Sequence, residues 1–256
     1  MSMFKKLLAK VGIGAATVDT RLNQDSFIPG EIIDGEVYIT GGDVEQDIKE
    51  IHLYIATQYK REVDDTTVTE TCELVKYCLC DTFTIAAQET KAISFSIQLP
   101  YQTPLTVKNQ PVYLRTGLDV ALAIDPKDID YIHVSPHPLM DLVINNIKNI
   151  GFQLHEVDCQ YNPRLGGNYP FVQEFEFRPT GKYRGKLDEL EVIFSLNADE
   201  LKVNLEIDKR ARGLGGFIAE AFDADEKRVH LIVTPDYLHR SDDLEAIIDG
   251  TLQKYI

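Results

Sequence analysis

Hydrophobic and polar residues alternate with a period of two along most of this chain, the pattern of strands with one buried face. Ile93, Phe95, Ile97 and Leu99 alternate with Ser94, Ser96 and Gln98. Ile51, Leu53, Ile55, Thr57 and Tyr59 do the same against His52, Tyr54, Gln58 and Lys60. Ile33, Val37 and Ile39 share a face with Gly35 between them, and Leu118, Val120, Leu122 and Ile124 make a fourth run. Turn signals separate the runs: Pro29-Gly30, Gly41-Gly42-Asp43, Asp64-Asp65 and the stretch from Pro100 to Pro104. Short strands punctuated in this way predict a sandwich of two sheets.

The pattern changes around His133. His133-Val134-Ser135-Pro136-His137-Pro138 reads as an extended connector, because a residue before proline is pushed out of helical space. Leu139, Leu142, Val143 and Ile147 then recur at helical spacing, with Gly151 as the stop. Strands resume beyond it. Phe171, Phe175 and Phe177 face opposite to Glu174 and Glu176, and Leu190, Val192, Phe194 and Leu196 form the next strand. Leu201, Val203, Leu205 and Ile207 alternate with Lys202, Asn204, Glu206 and Asp208, which completes the pattern of a second sandwich. One helix is expected from Phe217 to Phe222, after Gly215-Gly216. Another is expected from Ser241, read as its N-cap, with Asp242, Asp243 and Glu245 in the first turn. Leu244, Ile247, Ile248 and Leu252 give that last helix an apolar stripe, expected to pack on its own domain.

The expected fold class is therefore all-β: two β-sandwich domains in tandem, with short N-terminal, linker and C-terminal helices. The boundaries read from the pattern are an amphipathic helix over 1–14, an N-terminal sandwich over 15–134 and a C-terminal sandwich over 135–256.

Charge narrows the function. The chain has 41 acidic against 26 basic residues, a net charge of −15, which opposes binding to nucleic acid or an anionic bilayer. It favours partners with basic patches and association that weakens with salt. No apolar run is long enough to span a membrane. The four cysteines, Cys72, Cys78, Cys80 and Cys159, form no CxxC pair, so a reduced cytoplasmic protein is expected.

Candidate chemistry is sparse. No GxSxG turn or comparable nucleophile motif occurs, so no catalytic residue is assigned and no enzyme is expected. His133 and His137, near His155 and Cys159 in sequence, sit in a linker and a surface strand, and Cys78-Leu79-Cys80 reads as an ordinary strand. Asp125, Asp128 and Asp130 lack the glycine of a calcium loop, so no metal or other cofactor is expected. The anion-binding candidate is Lys209, Arg210, Arg212, Gly213, Gly215 and Gly216, where a glycine-rich backbone before a helix presents free N–H groups beside three cations. At the N-terminus Phe4, Leu7, Leu8 and Val11 share a helical face, with Lys5, Lys6 and Lys10 elsewhere. That helix would dock on this protein, on a partner or, as the weaker reading, on a membrane surface.

Certain segments carry a family resemblance. Phe27-Ile28-Pro29-Gly30-Glu31-Ile32-Ile33-Asp34-Gly35-Glu36-Val37 resembles the turn and strand of arrestin-type N domains. Phe95 to Pro100, then Pro111 to Arg115, resemble the later arrestin strand pair. Phe4-Lys5-Lys6-Leu7-Leu8, Gly41-Gly42-Asp43-Val44-Glu45-Gln46, Tyr59-Lys60-Arg61-Glu62, Pro170 to Phe177, Tyr183 to Val192 and Arg210 to Phe217 are similar to the bacterial sporulation-control protein family. That resemblance covers nearly the whole chain and implies an arrestin-like fold and a regulatory role in the onset of endospore formation. It implies no enzymatic activity and no defined site residue.

The expected function is thus a regulatory or adaptor protein acting through protein–protein interaction. Two alternatives are a membrane-associated scaffold anchored by the basic N-terminal helix and a small-molecule or phosphate-binding module. Exposed strand edges and the terminal helix make a homodimer the expected oligomer.

Overall fold

The computed structural model describes residues 15–80, 82–120, 127–209 and 227–256. Its strands in chain order begin with β1 (Thr17–Leu22), β2 (Ser26–Phe27), β3 (Ile32–Thr40), β4 (Gln46–Val63) and β5 (Thr66–Cys80). β6 (Phe83–Ile85), β7 (Thr90–Gln98), β8 (Val112–Val120), β9 (Lys127–Tyr131) and β10 (His133–Val134) follow. Helix α1 (Pro138–Asn149) leads to β11 (Phe152–Tyr161), β12 (Phe171–Pro179), β13 (Leu187–Leu196), β14 (Leu201–Lys209) and β15 (Lys227–Val233). Helix α2 (Ser241–Gln253) comes last, after a 3₁₀ turn at Pro235–His239. The described chain is mostly β, as the period-two pattern predicts.

The fold divides into two compact units. One takes the described residues up to Gln58, then Thr71–Thr106 and Pro111–Ser135; the other takes Tyr59–Glu70, Val107–Gln110 and Pro136 onward. Tyr59–Glu70 is the tip of the β4–β5 hairpin. It belongs with the second unit, although sequence order places it in the first half.

In the first unit β1, β3 and β7 form one antiparallel sheet, and β4, β8 and β9 belong to another that also receives β5 and β6. The alternation works as read: Ile33, Val37 and Ile39, then Ile51, Leu53 and Ile55, are all fully buried. Thr20 of β1 and Thr116 of β8 interrupt the apolar faces, and their hydroxyls satisfy each other at 2.6 Å. The Pro29-Gly30 turn closes with Glu31 N donating to Ile28 O at 3.1 Å, and Gly30 takes φ +91°. Gly35 occupies a crowded position: a Cβ there would stand 2.6 Å from Arg21 O and 2.7 Å from the Phe95 ring. Asp64 and Asp65 both adopt positive φ, 48° and 58°, as a two-residue hairpin turn of the primed type requires.

In the second unit the sequence pattern predicts another pair of facing sheets. The described strands instead hydrogen-bond into a single antiparallel order, β11-β12-β13-β14-β15, and α1 packs against β11 and α2. Period two shows that a strand face is buried, and here helices supply part of the cover. Helix α1 buries Leu139, Met140, Val143, Ile144 and Ile147, while α2 buries Leu244, Ile248 and Leu252.

Helix α1 starts and stops close to the reading. His137 Nδ1 accepts from Leu139 N at 3.3 Å as the N-cap, and Gly151 follows the helix at φ +103°. Ser241 is not the N-cap of α2. It is the first helical residue, and its hydroxyl donates to Asn146 Oδ1 of α1 at 3.1 Å, while Asn146 Nδ2 donates back to Ser241 O. Asn146 is buried, so the inter-helix bond satisfies a side chain that would otherwise be stranded.

Candidate functional site

Most residues singled out for binding lie outside the described residues. These are the N-terminal set Phe4, Lys5, Lys6, Leu7, Leu8, Lys10 and Val11, and the loop residues Arg210, Arg212, Gly213, Gly215 and Gly216; Lys209 is the last residue of β14. The expected helix over Phe217 to Phe222 also lies outside them. His133 is held by Thr106 Oγ1, 2.7 Å from its Nδ1, His137 caps α1, and the Cys159 thiol is buried.

The strand register builds a different site. Along the polar face of the second unit's sheet, Glu156 lies opposite Glu176, Glu176 opposite Glu191, Glu191 opposite Glu206, and Glu206 opposite Arg228. Asp158 lies opposite Glu174, and Glu189 opposite Asp208. Directly opposed side chains on a sheet stand roughly 5 Å apart, where like charges destabilise. The carboxylates border a shallow cavity of about 180 Å³ lined by Glu156, Asp158, Gln160, Glu174, Glu176 and Glu191.

Cations offset part of this charge at the margins. Lys60, from the hairpin tip, holds both oxygens of Asp158 at 2.8 Å. Arg178 Nε donates to Glu176 at 2.9 Å, and Arg228 grips Glu206 at 2.8 and 3.1 Å. Among the described residues no cation pairs with Glu174 or Glu191. Burial, followed by the charges of Glu174, Glu206, Glu176 and Asp208, pushes Glu191 up to about 7. Burial and then Glu176 push Glu189 up to about 7 as well, and burial with Glu206 and Asp158 raises Glu174. Burial and mutual repulsion thus favour the protonated form of these carboxyls. His155, Glu156 and Glu176 bring one donor atom each within 4.8 Å of one another, so this face also has a group able to hold a cation.

Aromatic stacking fixes the hairpin tip beside that face. Tyr59 stacks on Phe171 at 5.4 Å and on Tyr161 at 6.3 Å, and the Arg61 guanidinium lies 4.4 Å above the Tyr161 ring. Lys60 pairs in parallel register with Gln160, which aims its ammonium at Asp158. In the sequence Glu174, Glu176, Glu206 and Asp208 alternate with apolar residues. Their alignment into a ladder depends on register across four strands, for which the sequence holds no local signal.

Comparison with known proteins places the whole chain. The profile of the Spo0M protein family matches residues 4–211. The sporulation-control protein Spo0M of Bacillus subtilis is 41% identical over 256 residues, covering 100% of this chain and 99% of that protein. The crystal structure of Spo0M from Bacillus subtilis superposes with a TM-score of 0.86 at 40% identity, over 95% of this chain and all of that one. On the profile, the identity and the shared fold, this chain belongs to the Spo0M family.

Proposed function

We propose that this protein is a non-enzymatic regulator in the cytoplasmic control of sporulation, acting by binding a protein partner that presents a basic surface. The role in sporulation rests on the name of its full-length Bacillus subtilis relative. The arrestin-type reading of the fold rests on the segment Phe27 to Val37 and on the two sheets of the first unit.

The observation that carries the binding mode is the row of opposed carboxylates Glu156, Glu176, Glu191 and Glu206. Such a row costs the folded protein stability, and a basic partner returns that cost on docking. The test is complementation. In a spore-forming bacterium lacking its own Spo0M, the wild-type chain should restore normal spore yield. The triple variant Glu174→Gln/Glu191→Gln/Glu206→Gln should not, although circular dichroism shows it folded. Full restoration by the triple variant would overturn the acidic face as the working surface.

A further inference from the structure

A second group of chemistry-bearing side chains stands in the first unit, away from the carboxylate ladder in sequence. Glu50 and His52 are two residues apart on β4 and so share a face, and Cys78 stands on β5, which pairs with β4. The His52 side chain is only 14% exposed, with Nε2 2.8 Å from Glu50 Oε2. Its other ring nitrogen, Nδ1, is buried and has no hydrogen-bond partner. Nε2 is thus the ring nitrogen that faces Glu50, and a metal ion bound between the two would take the place of its proton. The edge of the Tyr54 ring, 6.0 Å away between centroids, limits the imidazole's freedom to turn. Cys78 presents an exposed thiol.

One donor atom from each of Glu50, His52 and Cys78 lies within 4.8 Å of the other two. We propose that these three side chains form a binding site for a borderline divalent transition-metal ion, Zn²⁺ before others. The donor set decides the class. Magnesium and calcium take oxygen ligands, whereas a thiolate, an imidazole and a carboxylate together suit zinc. Three protein ligands leave a fourth position for water. Two of the ligands are placed by one strand's alternation and the third by its neighbour, so little ordering entropy is lost on binding.

The experiment uses the full-length protein stripped with a chelator and titrated with Co²⁺, then Zn²⁺. One equivalent of Co²⁺ should produce a thiolate-to-metal charge-transfer band, which Zn²⁺ displaces. Cys78→Ser, at an exposed position, should keep the fold and lose the band. Glu50→Gln should weaken Zn²⁺ binding by roughly 10- to 100-fold. His155→Ala, which removes the other histidine-containing cluster, should change neither readout. Absence of the band in wild type, its survival in Cys78→Ser, unchanged affinity in Glu50→Gln, or its loss in His155→Ala would each overturn the proposal.

Discussion

Glu191 holds its proton in the folded protein up to about pH 7, whereas a glutamate in the unfolded chain releases it near ~4.3. Between those values the folded state binds more protons, so stability falls as pH rises through that window. The penalty is absent below the unfolded value and complete above the folded one. Glu191→Gln removes it. Urea unfolding across a pH series should show a flatter profile for the variant and a gain of ~1 kcal/mol on the alkaline side, allowing for solvent screening. An unchanged profile would mean that the ladder does not share protons. Gly35→Ala tests the opposite kind of residue. Its methyl group meets Arg21 O and the Phe95 ring at under 3 Å, so the thermal midpoint should drop, for a loss of ~1–3 kcal/mol.

Between β12 and β13, Tyr183 is fully buried and pins the last helix. Its hydroxyl donates to Asp249 Oδ1 at 2.7 Å, and Lys182 also pairs with that carboxylate. Burial pushes Asp249 up, but Lys182 and Tyr183 outweigh it and hold the carboxyl below its ordinary value. A depressed carboxyl contributes stability that is present above the unfolded value and is lost as pH falls through the folded one. Tyr183→Phe should therefore cost ~1 kcal/mol at neutral pH and start acid unfolding at a higher pH, as followed by circular dichroism.

Elements of this kind were only partly legible in the sequence. The faces of β3, β4, β7 and β14 follow from alternation, and α1 from its spacing and stop, because these signals are local. Ser241 looked like a cap because serine commonly is one; its partner Asn146 is 95 positions away and has no local mark. The carboxylate ladder and the Glu50–His52–Cys78 group were missed for the same reason. Each strand shows its own polar face, but which polar residues meet across strands depends on register and pairing. The apolar and basic motif over residues 4–11 and the glycine-rich stretch from 210 to 216 were readable as motifs, and neither falls within the described residues.

At the scale of the molecule, the second unit is incomplete without residues from the first half of the chain. Tyr59 is buried in a stack with Phe171, and Lys60 neutralises Asp158. A fragment of residues 136–256 should therefore melt well below the intact protein, since it loses a buried aromatic worth ~3–5 kcal/mol. Adding a peptide of residues 59–70 should recover part of the difference. A fragment as stable as the whole would show the hairpin tip to be ornamental.

The hairpin also has a consequence in time. Lys60 and Asp158 lie 98 positions apart, so the ribosome releases the tip long before the strands that receive it. Tyr59 must wait, with its ring uncovered, until β12 has been made. Vectorial synthesis thus leaves one unit's last piece in hand from the start, and that unit closes only when the chain returns to claim it.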